Sequence, residues 1–256
     1  MDAMGEFRGR KWEYELGAHA ISNALRPARD VKVTFAATRA MADRARGILD
    51  RDVLNGTPGT FTVIDPDGNW TQRGYGVEFE PSSAMGGDVV GSMTVVLLDG
   101  VWRRWHTKRF SPDMEITQAG GWLDFPHDYL YDFAQPRAST QIAGNEFFPS
   151  PVIIKIPGPV ENPSITIGGN LYEVLTEVPA NATLVINSVE KTVEVVTQYG
   201  ASTNVFQYAT RGSGEGGGKY IFQKLPAGYS SVVWDGNTVV EVSWADEEGE
   251  PPWNLS

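Results

Sequence analysis

The side chains that could carry chemistry are few and dispersed. His19, His106 and His127 are the histidines, and no two stand at the i, i+4 spacing that brings a pair of imidazoles to one helix face for a metal. They read as surface or hydrogen-bonded histidines. Gly212-Ser213-Gly214-Glu215-Gly216-Gly217 meets the glycine spacing of a dinucleotide loop, but such a loop needs a strand before it and a helix N-terminus after it. Lys219-Tyr220-Ile221-Phe222 follows, which reads as a strand, so the glycines are expected to form a flexible hairpin tip. Asp65, Asp67 and Asn69 resemble the start of a calcium loop, yet the glycine comes early, at Gly68, and Gly76 takes the place of the bidentate Glu. A β-turn is the better reading. Glu13/Glu15 and Glu78/Glu80 are carboxylate pairs on single strand faces, and alternation with aromatics makes those faces the wet ones. There is no G-x-S-x-G elbow, and Cys 0 rules out thiolate nucleophiles, thiolate metal sites and disulfides. The expectation is a protein that is not an enzyme, with no catalytic, cofactor-binding or metal residues.

The elements that would have to position any site are mainly strands. In 256 residues, alternating segments punctuated by Gly, Pro, Asn and Asp predict antiparallel sheets with one wet face. Trp12, Tyr14 and Leu16 alternate with Lys11, Glu13 and Glu15, and Val31, Val33 and Phe35 repeat the pattern. Further strands are expected at Thr60 to Ile64, Tyr75 to Glu80 and Val89 to Leu98, with Asp99-Gly100 turning the chain into a second hairpin arm, Val101 to Trp105. Met41, Ala45, Ile48 and Leu49 fall instead at i, i+4, i+7 and i+8, which predicts one helix from an N-cap at Thr38 to a stop at Asn55-Gly56. Its charged residues form a solvated or intersubunit face.

Between Ser111 and Pro136 the periodicity gives way to Pro, Gly and aromatics, which reads as an ordered linker folded over its own domain or as a partner-binding strip. After Arg137 short strands are expected at Val152 to Ile156, Ser164 to Ile167, Leu184 to Ile186, Thr192 to Val196, Tyr220 to Phe222, Ser231 to Val233 and Thr238 to Val242, the pattern of a two-sheet sandwich. Charge shifts there too, from 15 basic and 19 acidic groups in 1–136 to 6 and 13 in 137–256. The formal net charge of −11 is the wrong sign for a protein that grips phosphates. The N-terminus carries charges where a secretory signal needs an apolar core, so a cytosolic origin is expected, and no window is apolar enough to span a bilayer.

Asn162-Pro163-Ser164-Ile165-Thr166-Ile167-x-Gly169, Leu184-Val185-Ile186-Asn187 with Lys191-Thr192-Val193, and Leu225-Pro226-Ala227-Gly228 before Val232 resemble the C-terminal galectin-like domain of siphophage distal tail proteins. Phe125-Pro126-x-Asp128-Tyr129-x-Tyr131-Asp132-Phe133 is similar to the interdomain strip of phage minor tail proteins, and Pro58-Gly59-x-Phe61 fits the first half. Ser230 or Ser231 stands where that family usually has Asn. The resemblance implies a mainly β protein: an N-terminal ring-forming β-barrel or sheet domain with one helix over 1–110, a connector over 111–136, and a galectin-like β-sandwich over 137–256.

It further implies a virion structural component, made in the host cytoplasm and placed at the tail tip, where six copies form a homo-oligomeric ring joining the tail tube to the baseplate or receptor-binding apparatus. The partners implied are the tail tube, tape-measure and tail-tip or receptor-binding proteins, with no membrane, no cofactor and no specific nucleic-acid binding, since DNA only passes through the bore. An acidic chain suits such a bore. Ring-contact candidates are Arg39, Asp43, Arg46 and Asp50 on the helix and Trp102, Arg103, Arg104 and Trp105 at the hairpin. The alternative from another class is a carbohydrate-binding module recognising the host cell wall, with Trp234 and Trp244 as sugar-stacking candidates.

Overall fold

The computed structural model describes residues 7, 9, 11–66, 68–112 and 139–251, so the expected connector lies outside the described residues beyond Pro112, as does His127. Strands take 54% of the structure and helices 10%, so the mainly β class holds. The chain divides into two compact units, Met1–Arg104 with Glu247–Ser256, and Trp105–Asp246. The cuts fall inside two strands, β7 (Trp102–Phe110) and β18 (Val240–Glu248). Trp102 belongs to the first hydrophobic core, whereas Phe110 and Val240 belong to the second. Alternation in sequence marks where a strand ends, not which core each half joins, so the expected limits of 1–110 and 137–256 differ from these.

In the first unit, β1 (Glu13–Leu16) and β2 (Ile21–Leu25) form a separate antiparallel hairpin with a register shift between Glu13 and Glu15. β3 (Arg29–Thr38), β5 (Gly68–Met85) and β6 (Asp88–Leu97) form an antiparallel sheet with β6 in the middle, and β4 (Gly59–Asp65) folds back on the start of β5. The pairings Val31↔Val95 and Arg29↔Leu97 set the register that turns Val31, Val33, Val95 and Leu97 inward, against Val63, Trp70 and Trp102. Lys32, Thr94 and Glu78 are cross-strand neighbours on the opposite, wet face.

One pairing differs from expectation. Asp99-Gly100 does not turn the chain back along β6: β7 pairs with β5, through Thr71↔Arg103. The reason is the length of β5, whose second half, from Gly74 on, is taken by β6 while its first half is left for β4 and β7.

α1 (Arg39–Asn55) runs between the ends expected for it. Thr38 Oγ1 accepts from the Met41 amide at 3.4 Å, and Gly56 takes the left-handed conformation, φ 64°, that lets Thr57 N–H reach the Asp52 carbonyl. The apolar stripe does not face inward as a whole. Ala42 is buried and Leu49 half-buried, with Leu49 lying where a Cβ on Gly76 would be, while Met41, Ala45 and Ile48 are exposed.

In the second unit, β12 (Asn170–Glu173), β11 (Ser164–Ile167), β17 (Tyr229–Val233) and β8 (Ser139–Ala143) form one sheet in that order. β16 (Ser202–Asn204), β15 (Thr192–Thr197), β14 (Ala182–Asn187), β9 (Val152–Pro157) and β18 form the other, and β10 (Val160–Glu161) pairs with β13 (Glu177–Val178). Ile142, Ile165 and Val232 of the first sheet share a core with Ile154, Leu184 and Val242 of the second, which is the two-layer arrangement the alternation predicts.

Tyr220 to Phe222 is not a strand. The Asn170 side chain accepts from the Tyr220 amide at 3.1 Å and donates to the Tyr220 carbonyl at 3.0 Å, so a carboxamide replaces a ladder neighbour, and Ile221 and Phe222 enter the core from a turn. The glycine loop before it is held in place rather than a free tip: Gly216 N–H donates to Gln223 Oε1 at 2.7 Å and Leu171 N–H to the Gly218 carbonyl at 2.8 Å.

Candidate functional site

Arg39, Asp43, Arg46 and Asp50 all lie exposed on α1, where Arg46 Nη2 approaches Asp43 Oδ1 at 3.4 Å. A pair this open contributes little to folding, so both side chains are available to another surface. The β7 candidates are placed differently. Trp102 is 1% exposed, edge-on to Phe7 at 5.6 Å, and is a core residue rather than a contact. Arg103 is committed within its own unit: Nη1 donates to Asp99 Oδ2 at 3.0 Å and Nε to Glu247 Oε1 at 2.9 Å. Arg104 lies over the Trp70 ring at 5.2 Å, and Trp105, the first residue of the second unit, is half-buried. Trp102 and Trp105 stand three apart on β7 and so on opposite faces, and pairing to β5 turned the face of Trp102 into the core.

Asp99 anchors this corner. Its carboxylate takes Arg73 Nη2 at 2.7 Å as well as Arg103, and the Arg73 amide points at it. Burial pushes the Asp99 carboxyl up, but hydrogen bonds from Arg73 and the charge of Arg103 outweigh it and hold the group below the usual aspartate value. On the wet face Lys32 Nζ meets Glu80 Oε2 at 2.9 Å, a bond that raises the lysine and lowers the glutamate, while Ser92 donates to Glu80 and Thr94 to Glu78. These carboxylates are each bonded to a neighbour and face open solvent, which is no arrangement for acid and base catalysis.

What alternation missed is the exposure of the β1–β2 hairpin. Every described residue of both strands is exposed, including Tyr14, Leu16, Ile21 and Leu25, with Leu16 at 78%. A period of two reports that one face could be covered, not that anything covers it.

In the second unit the sugar-stacking candidates are core residues. Trp234 is 5% exposed and packs against Phe110 at 5.3 Å; Trp244 is 8% exposed and stacks on His106 at 5.6 Å. Neither ring face is open to a sugar. His106 Nε2 lies 2.8 Å from Asp246 Oδ2, and Asn145 Oδ1 accepts from the amides of Phe147 and Phe148, two exposed aromatics sequence reasoning passed over. Asn and Pro149 flanking a Phe pair were the signal. His19 is exposed in the turn between β1 and β2. Among the described residues no group of three or more His, Cys, Asp or Glu is placed to hold a metal ion, and no helix is long and apolar enough to cross a membrane.

The described surfaces thus offer exposed apolar and charged strips, suited to protein contacts. No family model matches the chain and no curated protein matches it in sequence. Solved structures match it in fold. A chain of the phage P2 baseplate in its activated conformation with Ca aligns over 95% of this chain and 88% of its own, with a TM-score of 0.53 at 8% identity. A chain of the phage p2 baseplate in its activated conformation with Sr does so over the same shares, 95% and 88%, with a TM-score of 0.51 at 8% identity. The SPP1 Dit (gp 19.1) protein, described as a paradigm of the hub adsorption apparatus in phages that infect Gram-positive hosts, aligns over 93% and 88% at 11% identity with a TM-score of 0.46. At such identities the likeness to the two baseplate chains is one of fold, and it extends over nearly the whole chain.

Proposed function

We propose that this chain is a non-enzymatic structural component of a bacteriophage tail tip, a distal tail protein of a siphovirus that joins the tail tube to the baseplate or receptor-binding apparatus. The observation that carries the reading is the likeness of fold to a baseplate chain over 95% of this one. In this reading six copies close a ring through their first units, with Arg39, Asp43, Arg46 and Asp50 of α1 among the contacts, and the second units carry the baseplate or receptor-binding proteins. Unlike patches on one chain make head-to-tail contacts, and those close into rings when the rotation permits. A net acidic chain suits a bore that lets a genome pass better than a basic one does.

The carbohydrate-binding alternative loses both of its stacking rings to the core, Trp234 and Trp244. The test of the tail-tip reading is immunogold labelling and mass spectrometry of purified virions from the source phage. Label at the tail end distal to the capsid is the expected result; absence of the chain from washed, intact particles overturns it.

A further inference from the structure

Phe147 and Phe148 stand apart from the other described phenylalanines of the second unit. Phe110 and Phe222 lie in its core and Phe206 packs against that core, whereas Phe147 is 73% and Phe148 62% exposed. Two adjacent phenyl rings left in water are unfavourable for the single chain. Yet the loop that presents them, between β8 and β9, is built rather than slack. The Asn145 carboxamide accepts from the Phe147 amide at 2.9 Å and the Phe148 amide at 3.0 Å, and donates to Asp246 Oδ1 at 3.4 Å. At one end of the loop Gly144 N–H donates to the Gly228 carbonyl at 2.9 Å, and Gly228 N–H to the Asn145 carbonyl at 2.8 Å. At the other end Ser150 and Leu225 exchange both backbone bonds, at 2.9 and 2.8 Å, and Pro149 stiffens the step between. The rings are thus held outward before any partner arrives, which lowers the entropy lost on binding.

The chemistry of the loop selects its occupant. Glu146 is exposed, adjoins Phe147 and makes no ion pair among the described residues, and it is the one charged side chain from Gly144 to Ser150. Two copies meeting through this loop across a two-fold axis would bring their Glu146 carboxylates together, which disfavours that pairing. An anionic lipid surface repels the same carboxylate. A sugar needs several polar partners beside a stacking ring, and here the Asn145 carboxamide is already engaged in holding the loop. The fitting occupant is a protein pocket, apolar where the rings enter and lined at its edge by Lys or Arg.

We infer that Phe147 and Phe148 are the anchor by which the second unit holds a different protein, seating in an apolar pocket whose cationic rim takes Glu146. This deepens the tail-tip reading, on which it rests for the presence of other tail proteins, by naming the surface that grips one of them. Aromatic side chains that fill pockets at the centre of an interface carry much of its binding energy.

The test uses the full-length chain, tagged and carrying p-benzoylphenylalanine in place of Phe147, made in cells that are producing the source phage and irradiated before lysis. The expected product is a cross-link to a different phage protein, mapped by mass spectrometry to an apolar segment with Lys or Arg beside it. With that protein purified, Phe147→Ser with Phe148→Ser weakens binding by at least about a hundredfold. Glu146→Lys weakens it by about tenfold and reduces its dependence on salt. Neither change lowers the melting temperature of the chain alone, since all three side chains are exposed. A cross-link only to this chain itself, to lipid or to glycan, or none at all, overturns the contact, as do unchanged affinity in the variants or a fall in melting temperature that shows the rings packing within their own chain. Such a failure, with the chain present in washed virions, leaves the tail-tip reading standing; a cross-link to a different protein from a chain absent from virions overturns that reading and keeps the contact.

Discussion

Replacing Asp99 by Asn takes one negative charge from a corner where it faces two guanidinium groups. The Asp99 side chain is 7% exposed and Arg103 13%, with Nη1 to Oδ2 at 3.0 Å, while Arg73 is 45% exposed and reaches Oδ1 at 2.7 Å. Breaking a buried pair by removing one partner costs about 3–5 kcal/mol. Three features lower that figure here. Arg73 is half in solvent, Arg103 keeps Glu247 at 2.9 Å, and the amide of Asn still offers an oxygen to one arginine. The expected loss is about 2 kcal/mol, confined to the first unit, or a fall of roughly 6–10 °C in its melting temperature. Urea unfolding measures it, with hydrogen exchange on peptides from β5 and β6 reading the first unit separately, since two units need not unfold together.

The pH dependence provides the sharper check. The folded carboxyl is held below its ordinary value of 3.8, so ionised Asp99 stabilises the fold above that value. As pH falls below the ordinary value the unfolded chain takes up the proton first, and the stabilisation drains away until the folded carboxyl is protonated too. The gap between wild type and Asp99→Asn is therefore full near neutral pH and closes under acid. A loss below about 0.5 kcal/mol, or a gap that stays the same size through the acid range, refutes the account of this corner.

Three further outcomes follow from the packing. Asn170→Ala leaves the Tyr220 amide and carbonyl without the partners at 3.1 and 3.0 Å and costs about 1–3 kcal/mol in urea unfolding, and Asn170→Asp recovers only part, because a carboxylate cannot donate to the carbonyl. Trp234→Ala and Trp244→Ala each destabilise the second unit by about 3–5 kcal/mol as core truncations, read by thermal unfolding, and wild-type protein shows no saturable binding to purified cell walls through these rings. Gly91→Ala brings a Cβ to 2.4 Å from the Glu80 carbonyl oxygen and 2.9 Å from Pro81 Cα, so the first unit loses at least about 3 kcal/mol or fails to fold, seen as loss of soluble protein in expression trials.

Local chemistry was legible wherever a residue acts within a few positions of itself. Thr38 and Gly56 bracket α1 because a hydroxyl can cap an N-terminus and a glycine can take a positive φ whatever lies elsewhere in the chain. Strands β9, β11, β14, β15, β17 and β18 follow from alternation for the same reason, whereas β8, β10, β12, β13 and β16 were not read from it. Tyr220 to Phe222 was misread because the group that captures it, the Asn170 side chain, lies fifty residues away. The candidate contacts divide on the same line: the α1 charges are exposed as their position on the helix suggests, whereas Trp102, Trp234 and Trp244 were offered as surface and belong to cores.

By itself, then, the chain's order of residues determined the mainly β class, the helix α1 with its two ends, and the absence of thiol chemistry, because each depends on side-chain type and short-range geometry. Which strand β7 joins, which side of α1 is turned inward and whether the hairpin is covered were decided only in three dimensions. Each of those outcomes turns on two segments distant in sequence competing for one edge or one face. A period of two or of 3.6 says that a face exists; burial is a property of the pair that meets there.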